Sequence, residues 1–279
     1  MGKRLSTRLG RQLTLVSLGL RPSDKLRIAI FNALRLVPRL MGADSRFHHA
    51  YVAWGSEHLN RVKVLAGGVR YVVSGFDQLA IVSEDFESFA SPWFKPETGQ
   101  FVIDVGANIG KYALLASRLV GESGKVIALE PNPRTYSMLA ENIALNNARN
   151  VIALNLAAWN QHSQLKLYRA KESIGSSAKW DYQLGFDIVN ARPLSSIMQE
   201  LGVDHADWVK IDAEGAEREV LEGMQEFLFR CRRFIIEVNR RNIFWVKEFA
   251  KQMGLLLVRI SNEDINGMTY YSAMRENQS

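Results

Sequence analysis

From residue 101 onward the chain alternates two hydrophobic patterns. FVIDV (101–105), KVIAL (125–129), VIAL (151–154), DWVKID (207–212) and RFIIEV (233–238) are nearly unbroken apolar runs, the pattern of strands buried on both faces. Between them, residues 111–120, 134–146, 213–224 and 243–253 place apolar side chains at helical spacing. Strand alternating with helix predicts an α/β domain on a mostly parallel sheet. LLLVRI (255–260) and MTYYSAM (268–274), separated by the Asn266-Gly267 turn signal, predict an antiparallel hairpin closing that sheet, before a frayed tail.

The first hundred residues read differently. DKLRIAIFNALRLV (24–37) predicts a helix, with Ser23 or Asp24 to cap it and Pro38 to end it. VKVLAGG and VRYVVSG predict a hairpin about Gly67-Gly68, and QLAIV (78–82) a third strand. SEDFESFASPWF (83–94) predicts a short helix capped by Ser83 and ended by Pro92. The expected organisation is a basic, mostly helical extension over 1–59, a small β/helix lid over 60–99 and a main domain over 100–279.

Charge sharpens this division. The net charge is +6, yet residues 1–49 hold ten Lys/Arg against two acids, which leaves 25 basic and 27 acidic side chains beyond them. The positive excess therefore belongs to the N-terminal segment, where peripheral contact of residues 1–41 with anionic lipid is one reading and docking on the main domain another. The apolar stretch 13–20 is too broken for a good secretory signal, and no run is long and apolar enough to cross a bilayer. Cys231 is the only cysteine, so no disulfide forms within the chain and a reducing, cytoplasmic setting fits. The acidic balance after residue 49 disfavours a phosphate-tracking groove, and no nucleic-acid partner is expected.

The chemistry begins where the first buried strand meets Gly106-Ala107-Asn108-Ile109-Gly110. Gly106 permits a turn that a side chain would obstruct, and Gly110 lets the following helix pack close to the strand. Glu130 ends the next strand, where an acid can accept hydrogen bonds from both hydroxyls of a ribose. Together these point to an adenosine ligand, either a dinucleotide or S-adenosylmethionine. Asn108 stands where a second glycine would let a pyrophosphate approach the backbone, and Asp104 is awkward beside a diphosphate but suits an ammonium and a sulfonium. S-adenosylmethionine is favoured, although the Asp104 carboxylate could also hold the turn through backbone hydrogen bonds.

DVGANIG (104–110), EPNP (130–133), NLAAWN (155–160) and KIDAEGAEREVLEG (210–223) together resemble the FkbM family of S-adenosylmethionine-dependent methyltransferases, over roughly residues 60–260. The resemblance implies a class I methyltransferase fold, Rossmann-like α/β with a seven-stranded, mostly parallel sheet and an antiparallel last strand. It implies O-methylation, commonly of sugars and sugar-bearing natural products, so a small-molecule or glycan acceptor is expected. On the same basis Asp104, Gly106, Ala107, Asn108, Gly110, Glu130, Pro131, Asn132, Ala157 and Ala158 would hold the cofactor.

Asp104, Glu130, Asp212 and Glu237 all reach the carboxyl edge of the sheet, from four different strands, and ligands of open parallel sheets bind beyond that edge. Methyl transfer to a hydroxyl needs the nucleophile held in line at ~3 Å and relieved of its proton. Asp212 is the candidate to orient or deprotonate it. Lys210, two residues earlier on the same strand face, is its electrostatic partner. Glu214 and Glu237 are acceptor ligands or, with Asp212, oxygen ligands of a Mg²⁺ ion, a divalent metal being possible but unsupported by any ligand spacing. Glu214 and Glu217 could instead serve only the helix dipole, Glu217 pairing with Arg218 or Lys210. Trp159 and Trp180 are flanking or core aromatics, His162 follows the third strand near the site, and SIGSS (173–177) is a polar loop that could bond a sugar. Two other functions stay open: a nucleotide-binding scaffold without turnover, and a nucleic-acid methyltransferase.

Overall fold

The computed structural model describes residues 15–40, 58–83, 85–170, 176–261 and 267–275. Residues 1–14, Ser173–Gly175, Asn266 and the tail after Arg275 lie outside the described residues. The chain divides into two compact units, Met1–Phe86 and Glu87–Ser279.

In the first unit, helix α1 (Pro22–Leu40) opens with the Asp24 carboxylate accepting from Arg21 N, 3.2 Å. It runs past Pro38, beyond the predicted stop, since a proline in a last turn forfeits only one bond of the ladder. Arg27 ties α1 to the strand entry through His58 O (2.7 Å) and Asn60 O (2.8 Å). β1 (Val62–Ala66) and β2 (Val69–Val73) form the predicted antiparallel hairpin. QLAIV is not a strand: helix α2 (Phe76–Ile81) occupies it. Gly75, at φ 105°, breaks the extended chain, and Gln78 Oε1 accepts from Ser74 N at 2.7 Å across the first turn. A five-residue apolar run satisfies either period, and here the turn residue decides. Ser83 closes α2 by donating to Ala80 O (2.6 Å) and caps no later helix, residues 85–93 being turns.

The second unit carries the predicted sheet. β3 (Phe101–Val105), β4 (Lys125–Leu129), β5 (Val151–Leu154), β9 (Ala206–Ile211), β10 (Cys231–Asn239), β11 (Leu255–Arg259) and β12 (Met268–Arg275) lie in the order β11-β12-β10-β9-β3-β4-β5. β12 alone runs against the other six, pairing antiparallel with β10 and β11. The chain runs from β3 outward to β5, then returns to place β9 on the other side of β3. That reversal opens a crevice at the carboxyl ends of β3 and β9.

Strand alternation builds two cores. Ile103, Val105, Ile127, Val209, Phe234 and Ile236 face helices α5 (Leu194–Glu200), α6 (Glu217–Gly223), α7 (Gln225–Leu228) and α8 (Ile243–Gln252). Val102, Val126, Trp208 and Ile235 face α3 (Lys111–Val120) and α4 (Pro133–Leu145). The hydrophobic effect thus fixes the register and, with it, which face each polar side chain occupies. Asp207 is tied within its own layer, accepting from Phe101 N (2.9 Å) and from Arg232 Nη1 (3.0 Å). A three-stranded sheet, β6 (Ala157–Trp159), β8 (Phe186–Pro193) and β7 (Ser163–Tyr168), stands beside the crevice. Of these three, only β7 is anticipated by the sequence, which reads Gln164–Tyr168 as a strand.

Candidate active site

The turn after β3 is set by its glycine. Gly106 has φ 77°, and a Cβ there would fall 1.9 Å from Asp212 O. Gly106 N and Ala107 N both donate to Leu129 O at 2.9 Å, which docks the turn on the end of β4. Gly110, at φ 98°, makes its close approach to side chains rather than to the strand: a Cβ would meet Leu139 Cδ1 at 2.8 Å. Asn108 also lies in the left-handed region (φ 50°), its Oδ1 accepting from Ile109 N at 2.8 Å. Asparagine tolerates that backbone because its short side chain bonds locally.

That turn aims Asn108 N at Glu130 Oε2, 2.8 Å, while Asn132 N donates to Glu130 Oε1 at 2.9 Å. Each carboxylate oxygen is thereby oriented and keeps a lone pair for another donor. Burial pushes the Glu130 carboxyl up to about 7, against the pull of the Asn132 and Asn108 amides. Asn132 also caps α4 through Arg134 N (3.0 Å) and Thr135 N, and its amide reaches Ser176 Oγ.

These residues wall a cleft that is partly open to solvent. Gly106, Asn108, Glu130, Pro131, Asn132, Ala157 and Ala158 line it, joined from the far side by Asp212 and Glu214. Trp159, Leu165, Leu167 and Val189 give it an apolar wall contributed largely by the three-stranded sheet. Asp104, Ala107, Gly110, Lys210 and Glu237 stand behind this wall rather than on it.

Behind it lies a row of buried charge. Asp104 and Lys210 are register partners on β3 and β9, and Glu237 and Tyr270 on β10 and β12, all on the α3 side of the sheet. Lys210 Nζ is 2.9 Å from Asp212 Oδ2 and 3.9 Å from Asp104 Oδ1. Burial opposes the lysine's charge, but the carboxylates of Asp212, Asp104 and Glu87 outweigh it and hold the ammonium above its ordinary range. Lys210 is therefore a fixed cation and no proton acceptor. Asp104 is buried, and neither of its oxygens has a hydrogen-bond partner. Burial pushes its carboxyl up to about 6 despite Lys210. Burial and the neighbouring Asp212 carboxylate raise Glu214 and Glu237 as well.

Glu217 does not pair with Arg218 or Lys210. It is wholly buried and accepts from Gly215 N (2.7 Å), Asn242 Nδ2 (2.6 Å) and Asn239 N (3.4 Å), tying the loop 212–216 to the end of β10. Arg218 bonds Glu222 instead. α6 starts only at Glu217, so Glu214 sits in the preceding loop at φ 47°, its carbonyl accepting from Ser177 Oγ. Trp180 packs against Gly215 and under Arg241, away from the lining. His162 is exposed and outside it. Among the described residues no group of three or more His, Cys, Asp or Glu side chains is placed to hold a metal ion. Sequence reasoning missed Glu87, Tyr112, Tyr270 and Asn242, whose partners are remote in the chain.

The fit to an adenosyl sulfonium donor rests on two features. Glu130 offers two oriented acceptor oxygens at the edge of the cleft, and Asp104 is an unsatisfied buried anion behind the glycine turn. The strand order, the switch at β3/β9 and this acid-rimmed cleft define a class I methyltransferase. The chain belongs to the FkbM family: residues 104–263 match the methyltransferase FkbM domain. It is 28% identical over 195 residues to the methyltransferase sdnD of Sordaria araneosa, covering 56% of this chain and 72% of that one. It is also 28% identical over 136 residues to the hexuronic acid methyltransferase AglP of Haloferax volcanii, of which it covers about half (54%, and 49% of this chain). The structure of the methyltransferase FkbM from Methylobacillus flagellatus shares the fold, with TM-score 0.51 at 12% identity, covering 98% of this chain and 60% of that one. The protein is thus an S-adenosylmethionine-dependent methyltransferase.

Proposed function

We propose that the protein methylates a hydroxyl of a sugar, glycan or glycosylated metabolite, with Asp212 as the group that meets the acceptor. The observation that carries this reading is the placing of Asp212. Its side chain is 22% exposed and on the cleft wall, while its partner Lys210 is 6% exposed and behind the wall. One Asp212 oxygen is held by the ammonium, leaving the other to take a hydroxyl proton. A bound donor supplies a methyl group already activated on a cationic sulfur. Glu130 would hold the ribose hydroxyls of that donor, and Asn108, Asn132, Ala157 and Ala158 its adenosyl portion. Asp104 would balance its positive charge from behind Gly106. Glu214, with its carboxyl raised, lines the cleft as a hydrogen-bond donor to the acceptor.

The sugar class is supported by the activity of AglP, a relative that methylates a hexuronic acid. Peripheral contact with anionic lipid belongs to the same reading. It is supported by the basic excess of residues 1–49 and by Leu26 and Ile30, exposed on α1 beside Lys25. The decisive experiment is transfer of labelled methyl from S-adenosylmethionine to a panel of neutral sugars, uronates and glycosides. Methylated product, with its mass and position established, is the expected result. Donor binding without transfer to any hydroxylated acceptor would instead favour a scaffold that has lost turnover.

A further inference from the structure

We propose that Glu87 is a positioning residue for the Lys210–Asp212 pair, acting through the hydroxyl of Tyr112, with Tyr270 as a second tie on the same carboxylate. This rests on the reading of Asp212 as the group that meets the acceptor. Glu87 comes from the turns over 85–93, at φ 53°, a backbone conformation that a glutamate adopts only when its surroundings hold it there. The carboxylate bridges two elements: Tyr112 OH of α3 donates to its Oε2 at 2.6 Å, and Tyr270 OH of β12 to its Oε1 at 3.2 Å. The ring of Tyr112 then lies with its centroid 4.8 Å from Lys210 Nζ.

The ammonium is therefore enclosed on three sides. Asp104 faces it from β3, Asp212 from the end of its own strand, and the Tyr112 ring covers it from α3. A cation over an aromatic face is favoured electrostatically, most of all where water is excluded. Each tyrosine is buried, so each hydroxyl needs an acceptor: Glu87 supplies it to Tyr112, while Tyr270 has both Glu87 and its register partner Glu237. Without that acceptor the Tyr112 ring is free to swing off Lys210, and the lysine can leave Asp212 for water. Neither Glu87 nor Tyr270 falls within the family match of residues 104–263, so two of the three parts of this clamp come from flanking segments of the chain.

The test uses the full chain carrying ¹⁵N at lysine Nζ. The Lys210 ammonium signal is assigned by its loss in Lys210→Met. In Glu87→Ala and, separately, in Tyr112→Phe, exchange of those ammonium protons with water is expected to speed up about tenfold, the mark of a local opening. The backbone amide spectrum and the calorimetric affinity for S-adenosylmethionine should stay as in the unaltered chain. Unchanged Lys210 exchange in both variants overturns the proposal. So does a disturbance spread over the amide spectrum, which would make Glu87 a structural tie only. Because no acceptor enters this measurement, failure of the unaltered chain to methylate sugars refutes the proposed acceptor class without touching the Lys210 result.

Discussion

Gly106 and Asp212 meet backbone to backbone: a Cβ on Gly106 would lie 1.9 Å from the Asp212 carbonyl oxygen. The glycine that shapes the turn after β3 thus also fixes how near the Asp212 loop can stand to it. Gly106→Ala must both enter a left-handed conformation (φ 77°) and push the loop after β9 away. A loss of more than about 2 kcal/mol in stability is expected, with cofactor affinity falling too. Thermal unfolding and calorimetry check both. Unaltered affinity in a folded Gly106→Ala protein would remove the turn from the binding site.

Glu130 should govern the cofactor and its pH dependence together. Glu130→Ala is expected to weaken S-adenosylmethionine by about 1–3 kcal/mol, the worth of charged hydrogen bonds lost from a buried group. In the free protein, burial raises Glu130 from 4.5 to about 7 and Asp104 from 3.8 to about 6. The folded state then binds more protons than the unfolded one between those limits. The stability these two groups contribute is fully present below pH 4 and is lost as the pH rises to 7. A cationic donor favours their ionised forms, so affinity should increase from pH 6 to 8 with release of protons. Calorimetry in two buffers of different ionisation enthalpy measures that release, and none at pH 6.5 would contradict this account.

The parts of the molecule read correctly from sequence are those where local pattern and global fold agree. FVIDV, KVIAL and RFIIEV are buried on both faces, so their apolar runs identify them, and period two then puts Lys210 beside Asp212. β8 was not legible because its face is half exposed: FDIVNARP mixes apolar and polar positions without a run. QLAIV misled because its helix is set by Gly75, one residue before α2, rather than by its own composition. Glu87 and Glu217 were opaque for a different reason. Their hydrogen-bond partners lie 25 and 183 residues away for Glu87, and up to 25 for Glu217, and nothing local marks a carboxylate as buried.

Asp212→Asn keeps the shape of the side chain and removes its capacity to take a proton. Turnover should fall by roughly 100-fold or more while cofactor affinity changes by less than about 1 kcal/mol. Lys210→Met leaves Asp212 and Asp104 without the ammonium between them and should lower turnover as well. Single-turnover kinetics with a saturating donor separates the two effects from binding. Equal turnover in Asp212→Asn would take that residue out of the chemistry.

The basic segment can be tested apart from catalysis. Deleting residues 1–49 removes the whole +8 excess together with α1, whose Leu26 is 60% exposed. Flotation with vesicles containing an anionic lipid should recover the full chain and lose the shortened one, and raised salt should weaken recovery of the full chain as screening predicts. Equal recovery of both would dismiss lipid contact through this segment.

Glu217 offers the sharpest test of the loop that carries Asp212 and Glu214. Its carboxylate is buried and joins Gly215 N, Asn239 N and Asn242 Nδ2, so one side chain fixes the loop, the end of β10 and the start of α8. Glu217→Ala removes the acceptor of Gly215 N, Asn239 N and Asn242 Nδ2, the last of which keeps Gly215 O, at a cost of about 2–4 kcal/mol. Glu217→Gln retains an acceptor oxygen but sets an amide against N–H donors, and should fall between. Burial raises the Glu217 carboxyl, so its replacement should destabilise the fold least at neutral pH, where the buried charge is already disfavoured, and most under mild acid. Chemical denaturation of both variants at pH 5 and pH 7.5 measures this order, and equal stability of Glu217→Ala and the unaltered chain would mean that the loop is held by other contacts.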